Sequence, residues 1–197
     1  FSYPQKMSGD SVWIATDKIF GLGNTLPEGF TAATPLGVVG AGGSVPFNFD
    51  MVTGFIPGSI GETSVIAIAI GAVILLWTGI ASWKTMLSVF LGGGVMAAIF
   101  QATGQTPVEW YEHIVLGGFC FGAVFMATDP VTSARTETGK WIYGILIGAL
   151  AVIIRVMNPG YPEGMMLAIL FGNMMAPAID FYVVEANISK RMKRAKK

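Results

Sequence analysis

The sequence predicts an all-α integral membrane protein, with about five transmembrane helices preceded by an outward-facing segment rich in glycine and proline. Three observations predict it. Only 12% of the 197 residues are charged and 53% are hydrophobic, whereas soluble domains average about 25% charged residues. The apolar residues come in runs that approach or reach the roughly 17–25 residues a membrane helix needs. The twelve basic and twelve acidic residues cancel, yet six of the basic ones fall in the last eight positions, Lys190 to Lys197.

The elements follow in order. Residues 1–62 carry Pro4, Pro27, Pro35, Pro46 and Pro57, many glycines and scattered charges, with no run able to span a bilayer. Within them, 8–20 fits a short amphipathic interfacial helix, and 35–45 is apolar but too short to cross. Residues 63–184 are the expected five-helix bundle. The first span is 63–80, with Ser59 and Glu62 placed as a capping box. The second is 85–101. Thr106 and Pro107 suit the N-cap and first turn of a third span over about 107–128. The fourth is 141–157 and the fifth about 164–184, with a basic tail over 185–197. Trp83, Trp141 and Tyr143 on one side, and Trp110, Tyr111 and Tyr161 on the other, fit two interfacial aromatic belts.

Five spans put the chain ends on opposite sides. Lys84, Arg135, Lys140 and the basic tail then share one side, and Glu109, Glu112 and Glu163 share the other. The positive-inside rule places the tail in the cytoplasm and residues 1–62 outside. Gly118-x-x-x-Gly122, Gly144-x-x-x-Gly148 and Gly92-Gly93-Gly94 predict close helix packing rather than chemistry. A weak internal echo sets Glu62, nine residues before Gly71, beside Glu163, nine residues before Gly172.

Single residues exclude several functions. One cysteine, Cys120, rules out a disulfide or a cysteine-ligated cluster within the chain, and its setting between Phe119 and Phe121 predicts a packing role. One histidine, His113, rules out a multi-histidine metal site; a proton or quinone group is one reading, an interfacial histidine the simpler one. The eleven methionines read as packing residues. The basic tail reads as a topology determinant and an anionic-lipid contact, not a nucleic-acid site. The start at Phe1 rather than methionine leads us to expect a piece of a longer protein.

One stretch outside the spans stands apart: Gly29-Phe30-Thr31-Ala32-Ala33-Thr34-Pro35-Leu36. Pro35 disfavours helical dihedrals at Thr34, so its hydroxyl is presented rather than tied to a helical carbonyl. On spacing alone this is a turn threonine before a proline. The stretch resembles the Ser/Thr-Gly-Ala-Thr flavinylation motif of the family that includes the B subunit of the sodium-translocating NADH:quinone reductase and the D subunit of Rnf complexes, with Ala32 where glycine is common. Further blocks resemble the same family in order: Gly54 to Glu62, Gly79 to Trp83, Phe125 to Val131, and Asn158 to Asp180. Tyr161 to Met166 and Val183 to Ile188 look closer to the reductase B subunit than to the Rnf protein.

The resemblance implies covalent FMN on Thr34 through a phosphoester, attached on the outer face of the bacterial inner membrane by an exported FMN transferase. It also implies a second, non-covalent flavin (riboflavin), a quinone substrate, Na+ transport, and partner subunits of a membrane reductase complex. The family subunit has about twice as many spans in two related halves, and this chain resembles the second half. NADH oxidation belongs to a partner, because no glycine-rich strand–helix turn in a soluble context is present.

Ionisable groups in or beside spans are functional candidates. Asp129 ends the third span. Asp180 lies about 24 Å along a helix from Gly164, near the same side. Two carboxylates beside helix ends offer the hard oxygen ligands a sodium ion takes, and the resemblance favours a role for both in ion uptake; a helix-ending Asp-Pro turn and an interfacial carboxylate are the plain readings. Arg155, about 21 Å along its helix from Trp141, belongs near the opposite face. Glu163 and Glu62 are its better partners, and neutralising the flavin phosphate is a sharper alternative to a structural pair. Asn173 and Pro177 are placed to break the fifth span locally. Two function classes remain: a flavin-bearing subunit of a redox-driven sodium pump, of reductase or Rnf type, and a flavin-free transporter or channel built on broken helices.

Overall fold

The computed structural model describes residues 35–40, 47, 49–56, 61–106, 108–158 and 163–195. Among them all regular structure is helical: α1 (Pro35–Gly40), α2 (Asp50–Thr53), α3 (Val65–Trp77), α4 (Trp83–Ala102), α5 (Glu112–Val115), α6 (Phe119–Phe121) running into a π-helical turn (Gly122–Met126), α7 (Glu137–Met157) and α8 (Met165–Ala195). Three of these, α4, α7 and α8, are long and apolar enough to cross a membrane. The protein is an all-α, multi-pass membrane protein. The expected interfacial helix over 8–20 lies outside the described residues.

Of the five expected spans, the second, fourth and fifth are long helices, α4, α7 and α8, whereas the first and third are not full-length helices. α3 has 13 residues, about 20 Å at 1.5 Å per residue, short of the roughly 30 Å hydrocarbon layer. It starts where the Ser64 hydroxyl accepts from the Ala67 amide at 3.3 Å, not at the expected Ser59–Glu62 box. It stops at Thr78, whose hydroxyl bonds back to the Ile74 carbonyl at 2.9 Å, before Gly79 turns left-handed.

The expected continuous third span is broken. Thr106 accepts from the Val108 amide at 3.2 Å, but the helix that follows gains one turn, α5, and then ends. Leu116 is extended (ψ 137°) and Gly117 is left-handed (φ 64°). The chain restarts as α6 and widens at once into the π turn. The cause is tertiary. A Cβ on Gly117 would lie 2.6 Å from Leu36, and one on Gly118 would lie 2.6 Å from a Glu62 oxygen and 2.8 Å from a Glu163 oxygen. The glycine pair therefore makes room for groups from three other segments.

α8, by contrast, is longer than expected. It runs through Asn173 and Pro177 without interruption and continues to Ala195, so most of the basic tail is helix. Its 31 residues span about 46 Å. The Pro177 ring removes the donor that would meet the Asn173 carbonyl, a loss the helix tolerates.

The centre of the bundle is the contact of α4 with α7, as the glycines predict. A Cβ on Gly92 would meet the Ile145 carbonyl at 2.5 Å, one on Gly144 would strike the Ser88 hydroxyl, and one on Gly148 would strike the Val89 carbonyl. Ser88 donates to the Lys140 carbonyl at 3.2 Å across this contact. α8 packs on the other side of α7, and Val89, Phe119, Tyr143, Ile147, Val152 and Met165 fill the core. Tyr143 is fully buried and donates to Asn173 at 2.5 Å, so it is a core residue rather than part of an aromatic belt. Trp83 and Trp141 do pair at one end, edge to face at 6.3 Å, and Trp110 and Tyr111 pair at the other at 5.8 Å.

Candidate functional site

Two polar clusters sit at opposite ends of the bundle. The first lies where α1 docks. Thr34 falls outside the described residues, but α1 begins at the next residue, Pro35, and anchors there. Leu36 is 6% exposed and packs with Met51, Val108 and Leu116. The side chain of Leu36 fills the space above Gly117. Directly beside it, Glu163 accepts the Gly118 amide at 2.7 Å, and a Glu62 oxygen lies against the same glycine. The two acids of the internal echo therefore converge on one point.

Arg155 reaches this cluster from α7. It is 4% exposed, donates to the His113 carbonyl at 2.6 Å and to the Glu163 carbonyl at 3.4 Å, and is attracted by the Glu163 and Glu62 carboxylates. A buried guanidinium committed to main-chain oxygens ties α7 to the broken third segment and to the start of α8. The expected partners are thus present as electrostatic neighbours, and two of its hydrogen bonds go to carbonyls. His113 differs from the expectation of an interfacial residue: it is 2% exposed. Its Nε2 lies 3.4 Å from the Thr106 hydroxyl, and its Nδ1 has no hydrogen-bond partner among the described residues. Cys120 is buried and donates its thiol to the Ile114 carbonyl at 3.2 Å, a packing role.

The second cluster gathers at the opposite end. Asp180 on α8 accepts from the Arg135 amide at 2.7 Å, the Thr136 amide at 3.0 Å and the Thr136 hydroxyl at 2.6 Å. Thr136 is the N-cap of α7 and accepts from the Gly139 amide at 3.1 Å. Asp180 therefore anchors the N-terminus of α7, where a carboxylate is favoured by unpaired amides and the helix dipole. Asp129 accepts from the Thr132 hydroxyl at 2.7 Å and the Thr132 amide at 3.1 Å. The Thr132 hydroxyl holds its carboxyl below the usual aspartate range. Lys84 and Lys140 both pair with Glu137, the latter at 2.8 Å.

Asp129 and Asp180 thus share one end of the bundle, as expected, but each is engaged by donors of its own. Among the described residues no group of three or more acidic, histidine or cysteine side chains is arranged to hold a metal ion. The residues that the motif pattern passed over are Thr136 and Gly117, while Thr106 was read only as a helix cap and Gly118 only as a packing glycine. Thr136 had a usable signal, a threonine one residue before the polar start of a long apolar run.

Comparison with known proteins agrees with this architecture. The model of the NQR2, RnfD, RnfE family matches residues 1–189. The chain is 50% identical to the B subunit of the Na(+)-translocating NADH-quinone reductase of Chromohalobacter salexigens, over 98% of this chain and 47% of that protein. It is 47% identical to the proteins of that name from Pseudomonas aeruginosa and Azotobacter vinelandii, over 98% of this chain and 48% of each. The chain spans about half the length of these curated relatives. With almost its full length matched by the family model and by these relatives, this helical membrane chain belongs to the NQR2, RnfD, RnfE family.

Proposed function

We propose that the chain is the part of a sodium-pumping NADH:quinone oxidoreductase that carries covalent FMN on Thr34 and passes electrons toward quinone as Na+ is exported. The observation that carries this reading is the near-complete match to reductase B subunits at 47–50% identity, joined to the threonine motif at 31–34. The identity to reductase subunits favours this type over the Rnf type.

The described residues fit a flavin attachment point in one respect. α1 is fixed to the bundle through Leu36, two residues after Thr34 in the chain, which supports an attachment point at this end. The Thr34 hydroxyl would take the FMN phosphoryl group from FAD, with AMP leaving, by the action of the exported transferase. The flavin, once bound, supplies the redox chemistry. Arg155 is buried and donates to the His113 and Glu163 carbonyls, which supports a structural role over neutralising the flavin phosphate. Its role is to hold the third segment, α7 and the start of α8 together beneath α1. We place this end outside and the Lys84–Glu137 end in the cytoplasm, in keeping with the basic residues of α8 and the positive-inside rule.

Asp129 and Asp180 are proposed to line the cytoplasmic entry for Na+. A carboxylate has about four lone-pair sites, so three donors on Asp180 leave little for a cation unless the cap at Thr136 loosens. The second reading is a flavin-free transporter, favoured by one observation: the third segment breaks inside the bundle, as substrate-binding helices of transporters do.

Intact-mass spectrometry and peptide mapping of the chain coexpressed with the FMN transferase separate the two. A gain of one FMN less one water on the Thr34 peptide is expected. An unmodified Thr34, with the transferase active on a control substrate, gives the transporter reading precedence.

A further inference from the structure

A cavity of about 610 Å³ opens at the Lys84–Glu137 end, between the turn after α3, the start of α4 and the 128–140 loop. Neither the flavin reading nor the sodium reading uses its lining residues, although Thr128 and Pro130 flank Asp129 and the Arg135 amide donates to Asp180. Its polar lining includes Lys84, Arg135, Lys140, Glu137, Ser82 and Ser133. Lys84 and Lys140 share the single carboxylate of Glu137, so with Arg135 the lining carries an excess of two positive charges, one of them offset by Asp180 beside Arg135. Ser82 precedes α4 without a side-chain cap on it, which leaves that helix's first amides open to an incoming oxygen anion. Leu76 and Ile80 form an apolar wall. Outside it stand Trp77, 90% exposed, and the exposed Val73 and Ile74 on α3, an apolar track that leads away along the bundle.

We propose that this cavity binds the headgroup phosphate of an anionic phospholipid, with the acyl chains lying along α3. Three features select this ligand. The cations cluster at the height of the paired Trp83 and Trp141 rings, where interfacial aromatics mark the headgroup layer. Basic pockets at that height suit phosphate-bearing headgroups. The apolar wall and track suit acyl chains and have no use for a soluble phosphate. The lipid class rests on the membrane reading, and its leaflet on the proposed orientation.

The test uses the intact membrane complex in nanodiscs containing phosphatidylglycerol or phosphatidylcholine, read by native mass spectrometry for retained lipid. The expected result is retention of phosphatidylglycerol over phosphatidylcholine. Arg135→Gln combined with Lys84→Gln and Lys140→Gln should cut it about tenfold. Ser133→Glu, which adds a negative charge without removing the Glu137 pairs, should do the same and guards against a folding failure of the triple variant. Changing Lys193 and Arg194 to Gln should leave it unchanged. Equal retention of both lipids, or no loss in either cavity variant, overturns the proposal. So does displacement of the lipid by millimolar inorganic phosphate, which would make the site one for free anions. Labelling of Arg135→Cys with an impermeant maleimide reports the orientation separately; labelling from the outer face would overturn the leaflet and the topology while leaving the lipid preference to its own measurement.

Discussion

The Asp180 carboxylate is engaged by the start of α7. Its oxygens take three donors from the start of α7, and hydrogen bonds to a charged group are worth about 1.5–3 kcal/mol each. Asp180→Ala should therefore lower the unfolding midpoint of the complex in detergent, whereas Asp180→Asn, which keeps an acceptor, should lower it less. If the charge also serves Na+ entry, both variants lose the sodium dependence of turnover. Unchanged sodium dependence in Asp180→Ala would confine the residue to capping. Asp129 has a narrower role. Its pKa is depressed by the Thr132 hydroxyl, so the capped turn contributes stability above the unfolded-state value of about 3.9. That contribution is lost only as pH falls through the lower folded value. The Thr132 amide should stay protected from hydrogen exchange across neutral pH and open in acid. These partners were hidden in the sequence because Asp180 and Thr136 are 44 residues apart.

At the scale of elements, the contact of α4 with α7 was legible and the state of the third segment was not. The glycine spacing predicted the first because small residues four apart on a helix let backbones touch. Gly148→Ala would push a methyl group into the Val89 carbonyl, and overpacking of this kind costs about 1–3 kcal/mol. A lower unfolding midpoint in detergent, with Gly94→Ala as a roomier control, is the expected result. The third segment has the composition of a span, so hydropathy alone reads it as one helix. Its break depends on Leu36, Glu62 and Glu163 occupying the space beside Gly117 and Gly118. Gly117→Ala adds strain at φ 64° and collides with Leu36. It should release α1 from the bundle, seen as faster proteolysis between residues 34 and 50.

The whole molecule is held at one end by Arg155 and at the other by Asp180. Removing Arg155 leaves the His113 carbonyl without that donor and the Glu62 and Glu163 carboxylates without their nearby cation. Breaking a buried charge arrangement in this way costs about 3–5 kcal/mol, so Arg155→Ala should reduce the yield of folded chain in the membrane; under the proposed flavoprotein reading, the flavin content of the folded fraction should stay unchanged. Orientation is a property of the whole chain and has a direct measurement. The single cysteine is buried, so cysteines introduced at Arg135 and at Glu109 should label from opposite sides of sealed vesicles.

The sequence by itself determined the membrane class, the three long helices, the shared end of Lys84, Arg135 and Lys140, and the glycine seam, since hydropathy, charge count and spacing are local and nearly additive. It also carried the family, through ordered blocks along the chain. Only the tertiary structure decided that the third segment breaks, that His113 and Tyr143 are buried, that Glu62 and Glu163 meet at Gly118, and that α8 continues as helix past Pro177. The physical reason is that a bilayer supplies no water to satisfy a polar group. Each buried polar group must find its partner within the protein, and those partners lie as far as 45 or 52 residues away along the chain, beyond the reach of any local pattern.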